Sequence, residues 1–541
     1  MKTYRPTDEV DYVIVGSGAA GGVMARELAR AGHSVVVLEA GPWLTENDFR
    51  HDVLWGRVHP DKSLTNNTDL LPQTMRAKDT EDAKKNDWAE YGRCVGGGSL
   101  HFSANYWRFP EVEFMQATRF GVPDGSNVAD WPITYADLEP YYTKVEWEIG
   151  VSGLAGNPYE PPRSQPYPLP PLPIKSEGVL LERAARALGY NPWPAPMAII
   201  SRFYRGRSPC VACGFCYGFA CEVRAKSSSA VTVIPEALAT NRCEIRTLAY
   251  ARKVQTNAAG KATGVVYFDK DKREVVQRAK NVVLSANGLE SAKLLLMSKS
   301  NQFPDGLANS SGQVGRNIMF NGFGGATGLF EHEVNAWKGV VASRVVWDTF
   351  ELSPSLGLYG GGGFDFRNPS TPMSGGNFWE DGPAFGIAWK KQARELFTRS
   401  LGVFGHTSTL PVASNRVDLD PTLVDAWGLP APRLTFTEHP ADVKLAEWFR
   451  DRGKELMHAA GALKVDSGGA YAGAGGPHLL GTCRMGNDPK TSVVDANHRA
   501  HDVPNLYVVD GSNFVTSGRG QPTMTIQALA FRAAALMTAR A

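Results

Sequence analysis

The sequence predicts a mixed α/β chain: a Rossmann-type nucleotide-binding domain assembled from dispersed segments, joined to a part built on an antiparallel sheet. Three observations predict it. A strand–glycine loop–helix–strand unit opens the chain, and strand–glycine–helix segments recur far along it. Residues about 322–476 are rich in Gly, Trp and Phe, with short alternating runs such as Ser343–Trp347 that suit antiparallel strands.

The opening unit is DYVIVGSGAAGGVMARELARAGHSVVVLEAG, residues 11–41. The apolar run Val13–Val15 predicts a strand and Gly22–Arg30 a helix with Val23, Leu28 and Ala29 available for one face. Ser34–Leu38 is a second strand ending at Glu39. Between strand and helix lie Gly16-Ser17-Gly18-Ala19-Ala20-Gly21. In such a unit the first glycine permits the tight turn, the second lets the backbone approach a pyrophosphate, and the third lets helix and strand pack closely. Gly16, Gly18 and Gly21 are therefore predicted to bind a dinucleotide, with its phosphates at the positive end of the helix dipole. Glu39 lies 39 − 16 = 23 residues beyond Gly16, the place of a carboxylate that accepts from ribose hydroxyls. An acid there argues against a 2′-phosphate. The motif alone does not choose between FAD and a nicotinamide.

Later segments repeat the theme: Gly92–Arg108 (GRCVGGGSLHFSANYWR), Val282–Leu296 and Asn505–Arg532. The second and third begin as apolar strands, turn at Gly288 or Gly511 and lead into helical patterns. One domain is thus predicted to draw on both ends of the chain, as residues 8–110, 201–320 and 477–541. Residues 111–200 form a connecting segment whose Pro-rich stretch Asn157–Pro173 reads as extended, and 321–476 form the antiparallel part. No internal repeat is found.

Composition narrows the function classes. The 541 residues carry 57 Lys+Arg against 55 Asp+Glu, a net charge of +2, with 43% hydrophobic and 21% charged residues. This is ordinary globular usage, which excludes a disordered, collagen-like or disulfide-dense chain. It also lacks the basic excess of a nucleic-acid binder. The length predicts two or more domains. Asp8, Glu9 and Asp11 interrupt any signal-peptide pattern, and no apolar stretch approaches the ~18 residues of a membrane span. The expectation is synthesis in the cytoplasm, with export on a partner subunit as the alternative route.

Four of the seven cysteines fall in PCVACGFCYGFACEVRAK, residues 209–226, with spacing C-x2-C-x2-C-x4-C. A short turn can wrap an iron–sulfur cluster when successive thiolates converge, so Cys210, Cys213, Cys216 and Cys221 are predicted as its ligands. Gly214 and Gly218 would free the backbone for that turn, and Phe215, Tyr217 and Phe219 would screen the cluster from water. Three readings compete. A structural zinc site prefers paired C-x2-4-C motifs separated by a longer finger. Disulfides between such close neighbours would be strained. Unliganded cysteines leave the clustering unexplained. Cys94, Cys243 and Cys483 read as packing residues.

Taken in order, GSGAAG with Glu39, VGGGS (Val95–Ser99), SANGLES (Ser285–Ser291), VGRNIM (Val314–Met319), HLLGTCRMG (His478–Gly486) and the tail VVDGSNF…GQPTMTIQALA resemble the glucose–methanol–choline (GMC) oxidoreductases. The resemblance spans nearly the whole chain. It implies FAD, a discontinuous FAD-binding domain, a substrate-binding domain on an antiparallel sheet, and oxidation of an alcohol carbon by hydride transfer to flavin N5. His478, after the flexible run Gly473–Pro477, takes the place of the family's catalytic histidine, a residue type suited to accept a hydroxyl proton near neutral pH. Gln521 stands where the family has His or Asn. An amide cannot be a base there, but it can donate and accept. By resemblance Gly97, Ser99, Asn287, Asp510, Gly511 and Thr523 also contact FAD. His101 matches the position of the covalent flavin bond in pyranose oxidases, so an 8α link and stacking beside a non-covalent flavin are its two readings.

The cysteine run is similar to that of an iron–sulfur subgroup which includes catalytic subunits of FAD-dependent glucose, fructose and gluconate dehydrogenases. There a 3Fe–4S centre drains the flavin. The spacing here departs from that pattern and leaves 4Fe–4S open. The subgroup implies a small partner subunit carrying an export signal, which would take the enzyme to the periplasm, and a cytochrome c or quinone acceptor. It also implies a sugar or glycoside substrate. The cysteine spacing and the lead-in PAPMAIISRFYRGR (Pro194–Arg207) resemble those of glucoside 3-dehydrogenases, in which a ring alcohol becomes a 3-keto sugar. Phe378 and Trp379 are candidates to stack on a sugar face. An oxygen-using alcohol or pyranose oxidase, a non-redox flavin lyase and an assembly subunit are the rivals, and the cysteine run argues against all three.

Overall fold

The computed structural model describes residues 2–49, 51–52, 67–367, 385–466, 469–471, 473 and 475–539. Phe378 and Trp379 lie outside the described residues.

The strand Val10–Val15 pairs in parallel with Val35–Leu38 on one side and with Ala279–Leu284 on the other. Both strands of the opening unit are almost wholly buried. A parallel strand covered on both faces reads as a continuous Val/Ile/Leu run, which is why these segments do not alternate. Cys243–Arg246 extends the sheet beyond Val35–Leu38, and Leu506–Val508, from the C-terminal segment, pairs in parallel with Val282–Leu284. The dispersed domain expected from the glycine segments is therefore one sheet. The helix Ala19–Arg30 buries Val23, Met24 and Leu28, and packs against the C-terminal helix Thr523–Thr538 through that helix's Ala528, Leu529 and Phe531 side. The first half of Glu274–Leu284 leaves the parallel sheet and forms an antiparallel meander with Ala262–Phe268 and Tyr250–Thr256.

The second sheet is antiparallel, in the order Lys464–Asp466, Gly322–Leu329, Ser400–Thr407, Gly362–Arg367, Arg344–Val346, Pro192–Pro194. The helix Pro440–Ala459 lies on it through Leu445, Phe449, Leu456 and Met457, an apolar stripe at helical spacing. Glycines let the helix sit this close. A Cβ on Gly324 would lie 2.0 Å from the Ala446 carbonyl oxygen, and one on Gly405 2.5 Å from the Phe449 ring. The Gly-rich composition of this region thus records helix-on-sheet contact.

A small third sheet joins Arg416–Val424 and Pro430–Thr435 to Thr74–Arg76 and Lys84–Lys85. Sheet membership therefore crosses the segment boundaries expected from sequence, since Pro192–Pro194 also joins the antiparallel sheet. The Pro-rich stretch Asn157–Pro173 contains no helix or strand. Cys94, Cys243 and Cys483 are buried. Among the described residues, no helix is long and apolar enough to cross a membrane.

Candidate active site

A cavity of about 440 Å³ opens between the parallel and antiparallel sheets. From the parallel side it is lined by Gly16, Gly18, Glu39, Asn287, Asp510 and Gly511, and from the VGGGSLH segment by Gly97, Ser99 and His101. His478, Gln521 and Thr523 line it from the C-terminal segment. The structure therefore brings twelve of the expected residues onto one cavity. Gly21 alone of the glycine triplet is absent from the lining.

Each glycine of the loop has a distinct geometric demand. Gly16 has φ +94°, and a Cβ there would lie 2.4 Å from the Ser285 carbonyl oxygen. A Cβ on Gly21 would lie 1.9 Å from the Gly16 carbonyl oxygen, so this residue acts behind the cavity, where the helix meets the turn. A Cβ on Gly18 would meet no protein atom within 4 Å. That open cradle, at the N-terminus of Ala19–Arg30, is the place where a pyrophosphate fits.

Two buried carboxylates tie the loops together. Glu39 Oε2 accepts from Ser17 N at 3.0 Å and Ser17 Oγ at 2.6 Å, while Oε1 accepts from Gly41 N at 2.9 Å. Burial pushes its carboxyl up and these donors pull it back. Asp510 Oδ2 accepts from Asn287 N at 3.1 Å and Ser291 Oγ at 2.6 Å, and Oδ1 from Ser512 N at 2.8 Å. This carboxylate is the physical link between the SANGLES and VVDGS segments. Ser99 Oγ donates to Gly96 O at 2.6 Å and accepts from Ser229 N at 3.1 Å, holding the VGGGS turn.

His478 Nδ1 lies 2.8 Å from Asn321 Oδ1. Asn321 Nδ2 faces three backbone carbonyls, of Thr407, Ser517 and Gly518, at 3.1–3.3 Å, which fixes which end of the amide is oxygen. His478 Nδ1 must then be the protonated donor, and Nε2 carries the lone pair. No protein group bonds Nε2 among the described residues. Burial, with His406 and the Arg367 guanidinium beside it, pushes the His478 imidazole down to about 3. It is a neutral base with a fixed tautomer.

Sequence reasoning missed a polar cluster beside it. Register places Phe404 opposite Asp365 and His406 opposite Gly363, so Asp365, Arg367, Phe404 and His406 share one sheet face. Asp365 accepts from Arg367 Nε at 2.7 Å and Asn105 Nδ2 at 2.9 Å, and His406 Nε2 lies 3.0 Å from its Oδ2. Burial opposes ionisation of Asp365, but Arg367, His406 and these hydrogen bonds hold its carboxyl below the usual range. His406 Nδ1 is 3.3 Å from Gln521 Nε2. The only sequence signal was charge inside the strand GGFDFR, and its meaning depends on the register with a strand some forty positions later.

The cysteine loop abuts this cavity. Tyr217 and Gly218 line it, and Gly218 N–H donates to His101 O at 3.0 Å. All four cysteines are free thiols, and Cys210 Sγ accepts from Ala212 N at 3.4 Å. Cys213, Cys216 and Cys221 all lie near enough to act electrostatically on the Cys210 thiol. Among the described residues, no three His, Cys, Asp or Glu side chains are gathered to hold a metal ion. Burial raises the Cys210 thiol to about 11 and pushes Cys213 up as well, so both are protonated at neutral pH.

Residues 10–320 and 411–530 match the two family profiles described as GMC oxidoreductase. The chain is 33% identical to 2-methyl-1,2-propanediol dehydrogenase of Mycolicibacterium austroafricanum over 97% of its own length and 94% of the relative's. It is 30% identical to the gluconate 2-dehydrogenase flavoprotein of Pantoea cypripedii, covering 97% of this chain and 92% of that one. Among solved structures, pyridoxine 4-oxidase from Mesorbium loti superposes with a TM-score of 0.63 at 20% identity, covering 97% of this chain and 98% of the other, a likeness of fold.

Proposed function

The chain belongs to the GMC oxidoreductase family, and on that premise we propose that it is an FAD-dependent dehydrogenase oxidising a secondary alcohol of a sugar or glycoside. The observation that carries this reading is His478. It is a neutral base, locked by Asn321 with Nε2 bare, in the same cavity as a Gly16–Gly18 cradle fit for a pyrophosphate.

FAD, when bound, supplies a hydride acceptor. Gly16, Gly18 and the N-terminus of Ala19–Arg30 would hold its pyrophosphate, and Glu39 would receive the ribose. Gly97, Ser99 and His101, with Asn287, Asp510, Gly511 and Thr523, would line the rest of its bed. His478 Nε2 takes the substrate's hydroxyl proton, which raises the electron density that the carbinol C–H must lose as hydride. Gln521 orients the hydroxyl. His101 is the proposed attachment point for a covalent flavin, and a flavin left in the supernatant after acid precipitation would refute the link. Oxidation at C3 of a glucoside rests on the cysteine spacing and the Pro194–Arg207 lead-in.

The cysteine loop is the proposed exit for electrons. Its donor set suits an iron–sulfur centre, which accepts electrons singly, and its contact with His101 brings it to the cavity wall. Loading would require the thiols to lose protons and draw together, as metal binding commonly demands. A protein or quinone acceptor and a small partner subunit follow from this reading. Iron and acid-labile sulfide analysis on anaerobically purified protein tests it: both should accompany the flavin. An oxygen-using oxidase is the second reading. Protein free of iron and sulfide that turns over with oxygen would establish that one instead.

A further inference from the structure

His406 is 1% exposed, packed edge-on to Trp107 and Phe323 with ring centroids 5.3 and 5.1 Å away, yet it lines the cavity. Its two nitrogens meet very different partners. Nε2 faces Asp365 Oδ2 at 3.0 Å and Arg367 Nη2 at 2.8 Å, and among the described residues Nδ1 meets only the Gln521 amide, at 3.3 Å.

The cluster determines the amide's orientation. Asp365 is ionised, since Arg367, His406 and Asn105 all bond it in a dry site. Arg367 can only donate, and its Nη2, 2.8 Å from His406 Nε2, already gives a hydrogen to Asp365 Oδ2; both N–H groups converge on that carboxylate, so the His406 proton sits on Nε2. Burial and the Arg367 charge oppose a second proton, which leaves the ring neutral with a lone pair on Nδ1. That lone pair accepts from the amide, so Gln521 turns its NH2 toward His406. Its Oε1, which bonds no protein group among the described residues, is left to accept from a substrate hydroxyl.

We propose that His406, with Asp365 behind it, is a positioning residue that sets the orientation of the Gln521 amide and so presents Gln521 Oε1 to the substrate. This rests on the functional reading given above for the cavity. It also accounts for the departure at position 521: the imidazole is retained in the site, one layer back from the substrate, on the antiparallel sheet.

A double-variant cycle of His406→Asn and Gln521→Ala tests it, read as kcat and KM, with flavin content and thermal midpoint as controls for folding. His406→Asn should lower kcat about tenfold, and should cost less than about twofold when Gln521 is already Ala, because contacting residues of one network couple. Additive losses, or no loss from His406→Asn alone, would overturn the proposal. Asp365→Asn, close to isosteric, should show the same coupling and serves if His406→Asn does not fold. Histidine 15N–1H correlations provide a readout independent of turnover. Wild-type protein should show His406 protonated at Nε2, and a proton at Nδ1 contradicts the relay. Wild-type protein that oxidises no alcohol while His406 shows the Nε2 proton would count against the functional reading and leave the relay standing.

Discussion

His478→Ala lowers kcat by about 10²–10⁴, the usual worth of a positioned acid–base group, or about 3–5 kcal/mol of barrier. The expectation rests on geometry: Asn321 holds the Nδ1 proton, His478 lines the cavity, and among the described residues no protein group bonds Nε2. Because the interaction matters in the transition state, kcat and kcat/KM should fall together while substrate binding changes little. Asn321→Ala should lower kcat in the same direction by about tenfold, since the ring is then free to present the wrong nitrogen. The pH profile has a definite sign. The base is the neutral imidazole, protonation removes it, and burial with His406 and Arg367 holds its titration down to about 3. The acid limb of kcat due to His478 should therefore lie far below pH 6.5. A limb at pH 6–7 that disappears in His478→Ala would contradict this environment.

Gly21→Val yields protein without flavin. A Cβ there would lie 1.9 Å from the Gly16 carbonyl oxygen and 3.3 Å from Ser285 Cβ, so the helix could no longer start against the turn. Overpacking a site typically costs about 1–3 kcal/mol, and a collision with backbone, which cannot rotate away, belongs at or above the top of that range. The thermal midpoint should fall and the purified protein should lack the absorbance of flavin. Gly18→Ala separates folding from binding. Its Cβ meets no protein atom within 4 Å, so the fold and midpoint should be retained while flavin is bound weakly or lost. Equal flavin content in wild-type and Gly18→Ala protein would show that the pyrophosphate does not use this cradle.

How much could be read from sequence depended on how local the cause was. Gly16, Gly18 and Gly21 were legible because each acts within one turn, and Val10–Val15 because a strand buried on both faces leaves an uninterrupted apolar run. His478 was legible through its motif. The Asp510 link to Asn287 and Ser291 joins residues more than two hundred positions apart, and no spacing rule reports that. Asn321 and the Asp365–His406 pair were invisible for a related reason. The pair's role arises from strand register, and a slip of one residue would turn His406 to the other face, while Asn321 meets His478 across 157 positions of chain. Short strands such as Thr74–Arg76 were missed because three residues carry no period. The cysteine spacing was read correctly as a loop, but spacing says nothing of whether the thiols converge.

The central claim is that one cavity holds both a flavin and an alcohol-oxidising base. Mixing the purified flavoprotein anaerobically with a panel of hexoses, glycosides and 1,2-diols, while following flavin absorbance, tests it most directly. At least one sugar or glycoside should bleach the flavin, about 10²–10⁴-fold more slowly in His478→Ala protein that keeps its flavin. A flavin-loaded wild type bleached by none of them, or bleached equally fast without His478, would contradict it.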